Sequence, residues 1–326
     1  MEGVARSLKR RAIDPLAAWR RMLDGLAVAE PKPGARPGHV FLLRLEREGG
    51  IDRDVALLDH LLDPTEAFIQ TIATPAHGML VTSATLRDGM DNEAAWEGAE
   101  ARTGAVHLAA PAIRAAFASP FDYANQTRIC VVNDVNIADI GVLAGAFRAL
   151  FEASGGGGLG LFTAISRLKA VHARIALPLE AAGIPLYAQH VDAMDNATLV
   201  DIFRAEEHSC LLGTDAMRDG VDIPGNALRL VVFERTPWPR PDILHRTRRT
   251  HLSGGAPKDY DDAIVRLRLR QAFGRLIRRA DDRGVFVLLD RQIPSRLFTA
   301  FPEAAPIIRS GLADAVTGIG RFLGQG

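Results

Sequence analysis

The chain has 326 residues, 48% hydrophobic and 24% charged, which suits about two globular domains with buried cores. A formal net charge of zero makes no general case for nucleic acid, so any binding groove has to be local. The two cysteines, Cys130 and Cys210, exclude a four-thiolate iron–sulfur or zinc site and suggest a reducing compartment, while apolar runs no longer than Ile140 to Phe147 exclude a membrane span.

Met1 to Arg11 is basic and leads into no apolar stretch of signal type, so a cytoplasmic protein is expected. Only Lys9, Lys32, Lys169 and Lys258 are lysines; the other basic residues are arginines, from codon bias or from phosphate recognition. Residues 5–29 carry a helical stripe of Leu16, Trp19, Met22, Leu23 and Leu26, broken by Pro31 to Gly34 and Pro37-Gly38. Val40 to Leu45 is a predicted strand, and Val55 to Leu62 a second element ending at Asp63-Pro64.

His77-Gly-Met-Leu-Val-Thr-Ser-Ala-Thr-Leu86 follows. Met79 to Val81 reads as a short buried strand delivering hydroxyls at its carboxyl edge; alone, such Ser and Thr side chains also serve as turn or cap residues. A strand is expected from Arg128 to Val132 and a helix from about Ile137 to Phe151. Gly155 to Gly158 has no following Lys-Ser/Thr, which argues against a phosphate cradle and for a flexible connector. Leu159 to Phe162 is a buried strand with Thr163 and Ser166 at its end, Ser166 being either an N-cap of the helix Arg167 to Ala181 or a ligand-facing hydroxyl. Further strands are expected at Ile184 to Tyr187, before Gln189, and at Ser209 to Gly213. Glu206-Glu207-His208 precedes a strand, the wrong side for a Mg²⁺-binding acidic box.

The loop Gly213-Thr-Asp-Ala-Met-Arg-Asp-Gly-Val-Asp-Ile-Pro-Gly225 sets Asp219 and Asp222 at a strand's carboxyl edge, with Gly220 permitting close backbone approach. Leu228 to Glu234 is a strand; the stiff loop Pro237 to Pro241 carries Trp238, for packing or for stacking on a base. The basic stretch Arg246 to His251 lines a groove or sits in water. A long helix is expected from Asp259 to Ala280, although Val265 to Arg270 alternates like a strand. Wound at about 100° per residue, it puts Gln271, Gly274, Arg275 and Arg278 on one face and Val265, Leu269, Phe273, Leu276 and Ile277 on the packing face. Two guanidiniums, a carboxamide and a glycine suit a phosphate held near the backbone; a lone arginine pair also reads as a solvated Arg-rich face. A strand at 285–290 and closing helices at Pro294 to Phe301 and Ile307 to Phe322 complete the chain.

Q-x-x-G-R-x-x-R with Asp281-Asp282-Arg283-Gly284 and the strand after it resembles motif VI of superfamily-2 helicases, in detail the DinG/XPD branch. T-S-A-T-L after P-A-H-G resembles motif III, L-F-T-x-x-x-x-L motif IV, and the loop 213–225 motif V. The loop departs from the family at Met217 or Arg218, where an aromatic is usual, and at Asp219, where Glu is usual. The resemblance covers roughly residues 38–300. It implies an α/β fold, a RecA-like parallel sheet with helices on both faces. It divides the chain into a helical segment (1–37), the remnant of a first motor domain (38–105) and a second RecA-like domain (106–326).

By the same resemblance Arg275 and Arg278 are catalytic arginines. Gln271, Gly274, Asp219, Gly220 and Asp222 face the nucleotide, and Ser83 and Thr85 couple nucleotide and nucleic-acid sites. Thr163, Ser166, Gln189 and Thr214 contact nucleic acid. The implied cofactor is ATP with Mg²⁺, without an iron–sulfur cluster, and the implied partner is single-stranded DNA, with 5′-to-3′ movement. The family's phosphate-binding loop needs a Gly-Lys pair, and this sequence has none. The expectation is therefore the C-terminal half of a motor, inactive without a partner that bears that loop; a non-hydrolysing binding module and a degenerate remnant are the alternatives.

Overall fold

The structure is a computed structural model that describes residues 2–27, 35–88, 92–214, 217, 223 and 225–324. They group into two compact units. The first draws on residues 1–81, 100–112 and 239–261, the second on 82–99, 113–238 and 262–326.

In the first unit, helices α1 (Glu2–Leu8) and α2 (Asp14–Ala27) join through a π-helical stretch, Lys9–Ile13. Strands β1 (His39–Glu48) and β2 (Ile51–Leu61) form an antiparallel hairpin closed by Gly49 and Gly50, both at positive φ. The bare face of Gly25 lets α2 lie against the Phe41 ring, where a Cβ would sit 2.2 Å from a ring carbon. Of the predicted helical stripe, Met22 is buried, while Leu16, Trp19 and Leu23 are exposed. Helix α3 (Pro64–Phe68) is capped by Asp63, whose Oδ1 accepts from the Thr65 amide at 3.1 Å. The expected strand at Met79 to Val81 does not form. These residues take no regular secondary structure, are exposed and pair with neither sheet, and a strand without neighbours has nowhere to send its backbone N–H and C=O groups. Helix α4 (Glu93–Thr103) follows, its residues 93–99 counted with the second unit.

The second unit is built on a seven-stranded parallel sheet. Its elements in chain order are α5 (Tyr123–Gln126), β3 (Thr127–Val132), α6 (Ile140–Ser154), β4 (Gly158–Phe162), α7 (Ile165–Ala181), β5 (Leu186–Ala188), α8 (Asn196–Ala205), β6 (Cys210–Thr214) and β7 (Leu230–Phe233). Then come α9 (Ile243–Leu252, in the first unit), α10 (Pro257–Phe273), β8 (Gly284–Leu288), β9 (Ile307–Ser310) and α11 (Leu312–Leu323). The strand order is β5-β6-β4-β7-β8-β3-β9, and all pairings are parallel.

Alternate strand residues feed two cores. Ile129, Val131, Leu161, Leu211, Val231, Phe286 and Leu288 pack with Phe203 of α8 and Val265, Leu269 and Phe273 of α10. Cys130, Val132, Phe162, Leu212, Val232, Val285 and Val287 pack with Phe147 and Phe151 of α6, Val171 and Ile175 of α7, and Ile319 of α11. Burial on both faces explains why these strands read as continuous apolar runs. The expected parallel α/β sheet with helices on both faces is the observed fold.

Three local expectations are corrected. The glycine run after α6 is a rigid turn: Gly155, Gly156 and Gly157 all take positive φ, and a Cβ on Gly156 would meet the His208 carbonyl oxygen at 2.1 Å. Buried Arg229 ties this turn down, donating from Nε to the Ser154 carbonyl (2.7 Å) and from Nη2 to that of Gly155 (2.5 Å). Ile307–Ser310 is an edge strand, because it finds β3 as a partner, and only the residues after it are helical. The long helix ends at Phe273 instead of Ala280, and its terminus shapes the functional site.

Candidate functional site

In an open parallel α/β sheet, ligands bind beyond the carboxyl ends of the strands. Here that edge carries a row of polar side chains. Thr163 follows β4, Thr214 ends β6, Gln189 follows β5, Glu234 follows β7, and Asp290 lies two residues past β8.

Gln189 and Thr214 meet. The buried Gln189 carboxamide accepts through Oε1 from the Thr214 amide (2.9 Å) and hydroxyl (2.8 Å), and donates through Nε2 to Asn196 Oδ1 at 3.1 Å. Thr163 is tied to Glu234, a carboxylate with no solvent exposure. Glu234 Oε1 accepts from the Thr163 amide (3.0 Å) and hydroxyl (2.7 Å), and Oε2 accepts from Arg167 Nε at 2.5 Å. Arg167 also donates from Nη2 to the Ile137 carbonyl at 2.6 Å, and Arg235 Nε lies 3.6 Å from Glu234. The acid thus sits between two guanidiniums, the compensation a buried charge requires. Asp290 repeats the device, accepting through Oδ2 from the Thr236 amide (3.0 Å) and hydroxyl (2.6 Å). Ser166 does not cap α7: the N-cap is Ala164, without a side-chain bond, and Ser166 stands exposed in the first turn.

The arginine-bearing segment is a turn. After Gln271, still helical and half-buried, tightened bonds run from the Arg275 amide to the Ala272 carbonyl (3.2 Å) and from the Leu276 amide to that of Phe273 (3.0 Å). Gly274 is exposed. Leu276 and Ile277 both turn into the core, which a continuing helix could accommodate, yet the chain is drawn off by two buried polar residues. Asp282 accepts through Oδ2 from the amides of Arg278 (2.7 Å) and Arg279 (2.8 Å). Gln126, more than 150 residues earlier, donates from Nε2 toward the carbonyls of Arg279, Ala280 and Asp282 at 3.2, 3.1 and 3.0 Å. This clamp leaves Arg278 exposed and Arg275 half-buried, so the two guanidiniums share a clamped turn and not a helix face.

Ser83 and Thr85 form a turn of their own: Thr85 donates its amide to Ser83 Oγ, and the two hydroxyls lie 3.1 Å apart. The following residues are fastened to α10. Arg266 donates from Nε to both Asp88 oxygens (2.9 and 2.8 Å) and from Nη2 to Oδ2, while Arg270 reaches the Arg87 carbonyl from Nη1. Arg270 also donates to the carbonyls of Ala300 and Thr299, each at 3.0 Å, and Arg268 to those of Pro237 (2.9 Å) and Trp238 (3.2 Å). The alternating arginines of Val265 to Arg270 are therefore tethers. Their spacing gave no hint of it, and neither Gln126, Glu234 nor Asp282 stood out in the sequence as a site residue.

Asp219, Gly220 and Asp222 lie outside the described residues; of the loop's neighbours, Met217 and Ile223 are buried in the core. Trp238 keeps 40% exposure. Among the described residues no cluster of His, Cys, Asp and Glu could hold a metal ion, and no helix is long and apolar enough to cross a membrane.

Residues 147–306 match the helicase C-terminal domain family. The chain is similar to the ATP-dependent helicase DinG of Mycobacterium tuberculosis, with 36% identity over 160 residues, 48% of this chain and 23% of that protein. It is similar to the ATP-dependent DNA helicase YoaA of Escherichia coli, with 30% identity over 192 residues, 56% of this chain and 29% of that protein. A Bacillus subtilis protein named 3′-5′ exonuclease DinG is 28% identical over 255 residues, 75% of this chain and 27% of its own length. The chain thus spans roughly a quarter of the length of these curated relatives. Among solved structures, an XPD apo structure superposes with a TM-score of 0.44 at 17% identity, over 57% of this chain and 40% of that one.

Proposed function

We propose that this chain, whose residues 147–306 form a helicase C-terminal domain, supplies the second, RecA-like motor half of an ATP-dependent DNA helicase of the DinG type. The observation that carries the reading is the clamped turn 274–282, in which both Arg278 and Gly274 are exposed. Such a turn suits polyphosphate: guanidiniums donate bidentately, and Gly274 leaves the backbone approachable.

In this role Arg275 and Arg278 stabilise the charge that develops on the transferred γ-phosphoryl, a contribution of about 10³–10⁵ in rate for arginine fingers. Gln271 and Gly274 border the nucleotide, and Asp219, Gly220 and Asp222 complete that border from the loop between β6 and β7. Mg²⁺ and the β- and γ-phosphates are held by a separate first motor domain bearing the phosphate-binding loop, so this chain alone turns over no ATP.

Single-stranded DNA runs along the carboxyl edge of the sheet, touched by Thr163, Ser166, Gln189 and Thr214. A phosphodiester oxygen only accepts hydrogen bonds. The exposed Ser166 hydroxyl therefore makes the direct contact, and Thr163 and Thr214 donate only by leaving Glu234 and Gln189. Ser83 and Thr85 report the nucleotide state to α10 through Asp88 and Arg266.

The test is reconstitution with the first motor half of a DinG-type helicase on duplexes carrying a 5′ or a 3′ single-stranded tail. Unwinding of the 5′-tailed duplex that needs both halves and ATP, and that Arg278→Ala abolishes, is the expected result. Salt-sensitive DNA binding indifferent to ATP and to both arginines would replace this reading with a non-hydrolysing module.

A further inference from the structure

The second unit holds a cavity of about 600 Å³ between α11 and the β3–β9 edge of the sheet, within the range of about 300–1,000 Å³ usual for small-molecule sites. None of the residues assigned to the motor reaction lines it. Its inner wall is apolar, formed by Cys130, Val285, Ile308 and Ile319. Burial pushes the Cys130 thiol up to about 11, so it is a neutral part of that wall.

One end of the cavity is strongly cationic. Arg128, near the start of β3, and Arg283, just before β8, converge on Phe322 of α11, with guanidinium carbons 4.4 and 5.8 Å from the ring centroid. Arg321 is the third guanidinium in the lining. Arg128 is fixed by donating from Nη1 to the carbonyls of Ala124 (2.8 Å) and Thr127 (2.7 Å). Neither Arg283 nor Arg321 pairs with an acid among the described residues, and Asp314 is the only acid in the lining. Toward the other end, Ser310 keeps its Oγ shielded from solvent without a hydrogen-bond partner, an unfavourable state for a buried hydroxyl.

Gly318 sits in the middle of α11, where glycine is disfavoured relative to alanine. A Cβ there would meet nothing within 4 Å, so the glycine eases no packing contact, and it is part of the cavity lining.

We propose that this cavity binds a phosphomonoester carried on a nucleoside-sized body, with the phosphate on the lining guanidiniums of Arg128, Arg283 and Arg321 and the body along the apolar wall beside Gly318. Three guanidiniums against one carboxylate match a dianion better than a carboxylate ligand, and the apolar wall requires a body beyond the phosphate itself. The proposal does not depend on the helicase reading.

Calorimetric titration of the full chain with AMP, and with adenosine as the uncharged control, tests it. AMP should bind at least 10-fold more tightly than adenosine. Gly318→Leu, which adds bulk to the cavity lining while improving the helix, and Arg283→Glu, at an exposed position, should each weaken AMP at least 10-fold, with Arg275→Ala unaltered. If a 5′-phosphorylated oligo-dT displaces AMP and its 5′-hydroxyl counterpart does not, the natural source is a DNA end; if neither does, it is a free nucleotide. Absence of AMP binding at millimolar concentration, or binding that survives both cavity substitutions, overturns the proposal.

Discussion

Arg266 grips Asp88 with both prongs of its guanidinium, Nε lying 2.9 and 2.8 Å from the two carboxylate oxygens, and both side chains keep only 15% exposure. The pair fastens the segment after the Ser83–Thr85 turn to the helix that leads into the arginine turn. Asp88→Ala leaves a largely buried guanidinium unmatched and should cost about 2–3 kcal/mol in urea unfolding. In the reconstituted motor it should depress DNA-stimulated turnover more than basal turnover. Equal depression of both would assign the pair to stability alone.

Glu234 and Arg167 form the more deeply buried pair. Glu234→Ala removes the acceptor of Arg167 and of both Thr163 donors, and should destabilise the second unit by about 3–5 kcal/mol in chemical denaturation. Glu234→Gln keeps an acceptor for Thr163 and should cost less. Similar losses for the two variants would show that the charge contributes little.

Asp282 and Gln126 hold the arginine turn through backbone groups, so their loss acts on local order first. Asp282→Ala should speed hydrogen exchange at the Arg278 and Arg279 amides, by roughly 10-fold or more for a loss of about 1.5 kcal/mol, with the strand amides of β3 and β8 little changed. Unchanged exchange at both amides would contradict the clamp.

Both cysteines are buried, and desolvation pushes Cys130 up to about 11 and Cys210 up to about 12, from an ordinary value of 9.0. Raised folded values mean that the unfolded chain loses these protons first. Their contribution to stability is complete below about pH 9 and declines as pH climbs toward 11–12. At pH 8 an alkylating reagent should modify neither thiol in the folded chain and both in urea, as mass spectrometry would report. Rapid labelling of folded Cys210 would contradict its burial.

The sheet was legible because strands buried on both faces leave unbroken apolar runs: Arg128 to Val132, Leu159 to Phe162 and Leu228 to Glu234 each hold a strand of the second unit. What local pattern could not convey was set by distant partners. The long helix reads through Leu276 and Ile277 because both are apolar at helical spacing, and the stop comes from Asp282 and from Gln126. Ile307 to Ser310 becomes a strand only because β3 presents a free edge. Met79 to Val81 has strand-like residues and no edge to join. Gln189 and Thr214 are assigned through the resemblance alone, and their mutual bond depends on β5 and β6 lying side by side, which spacing does not encode.

In the proposed role this chain contributes arginines to a nucleotide site completed by another domain. The most direct measurement is ATP hydrolysis by the purified chain, with and without single-stranded DNA, alone and with a first motor half bearing the phosphate-binding loop, beside Arg275→Ala. The expected result is no turnover by the chain alone, and DNA-stimulated turnover by the pair that falls at least about 10³-fold in the variant. DNA-stimulated turnover by the chain alone, lost in Arg275→Ala, would contradict it by revealing a complete phosphate site within these 326 residues.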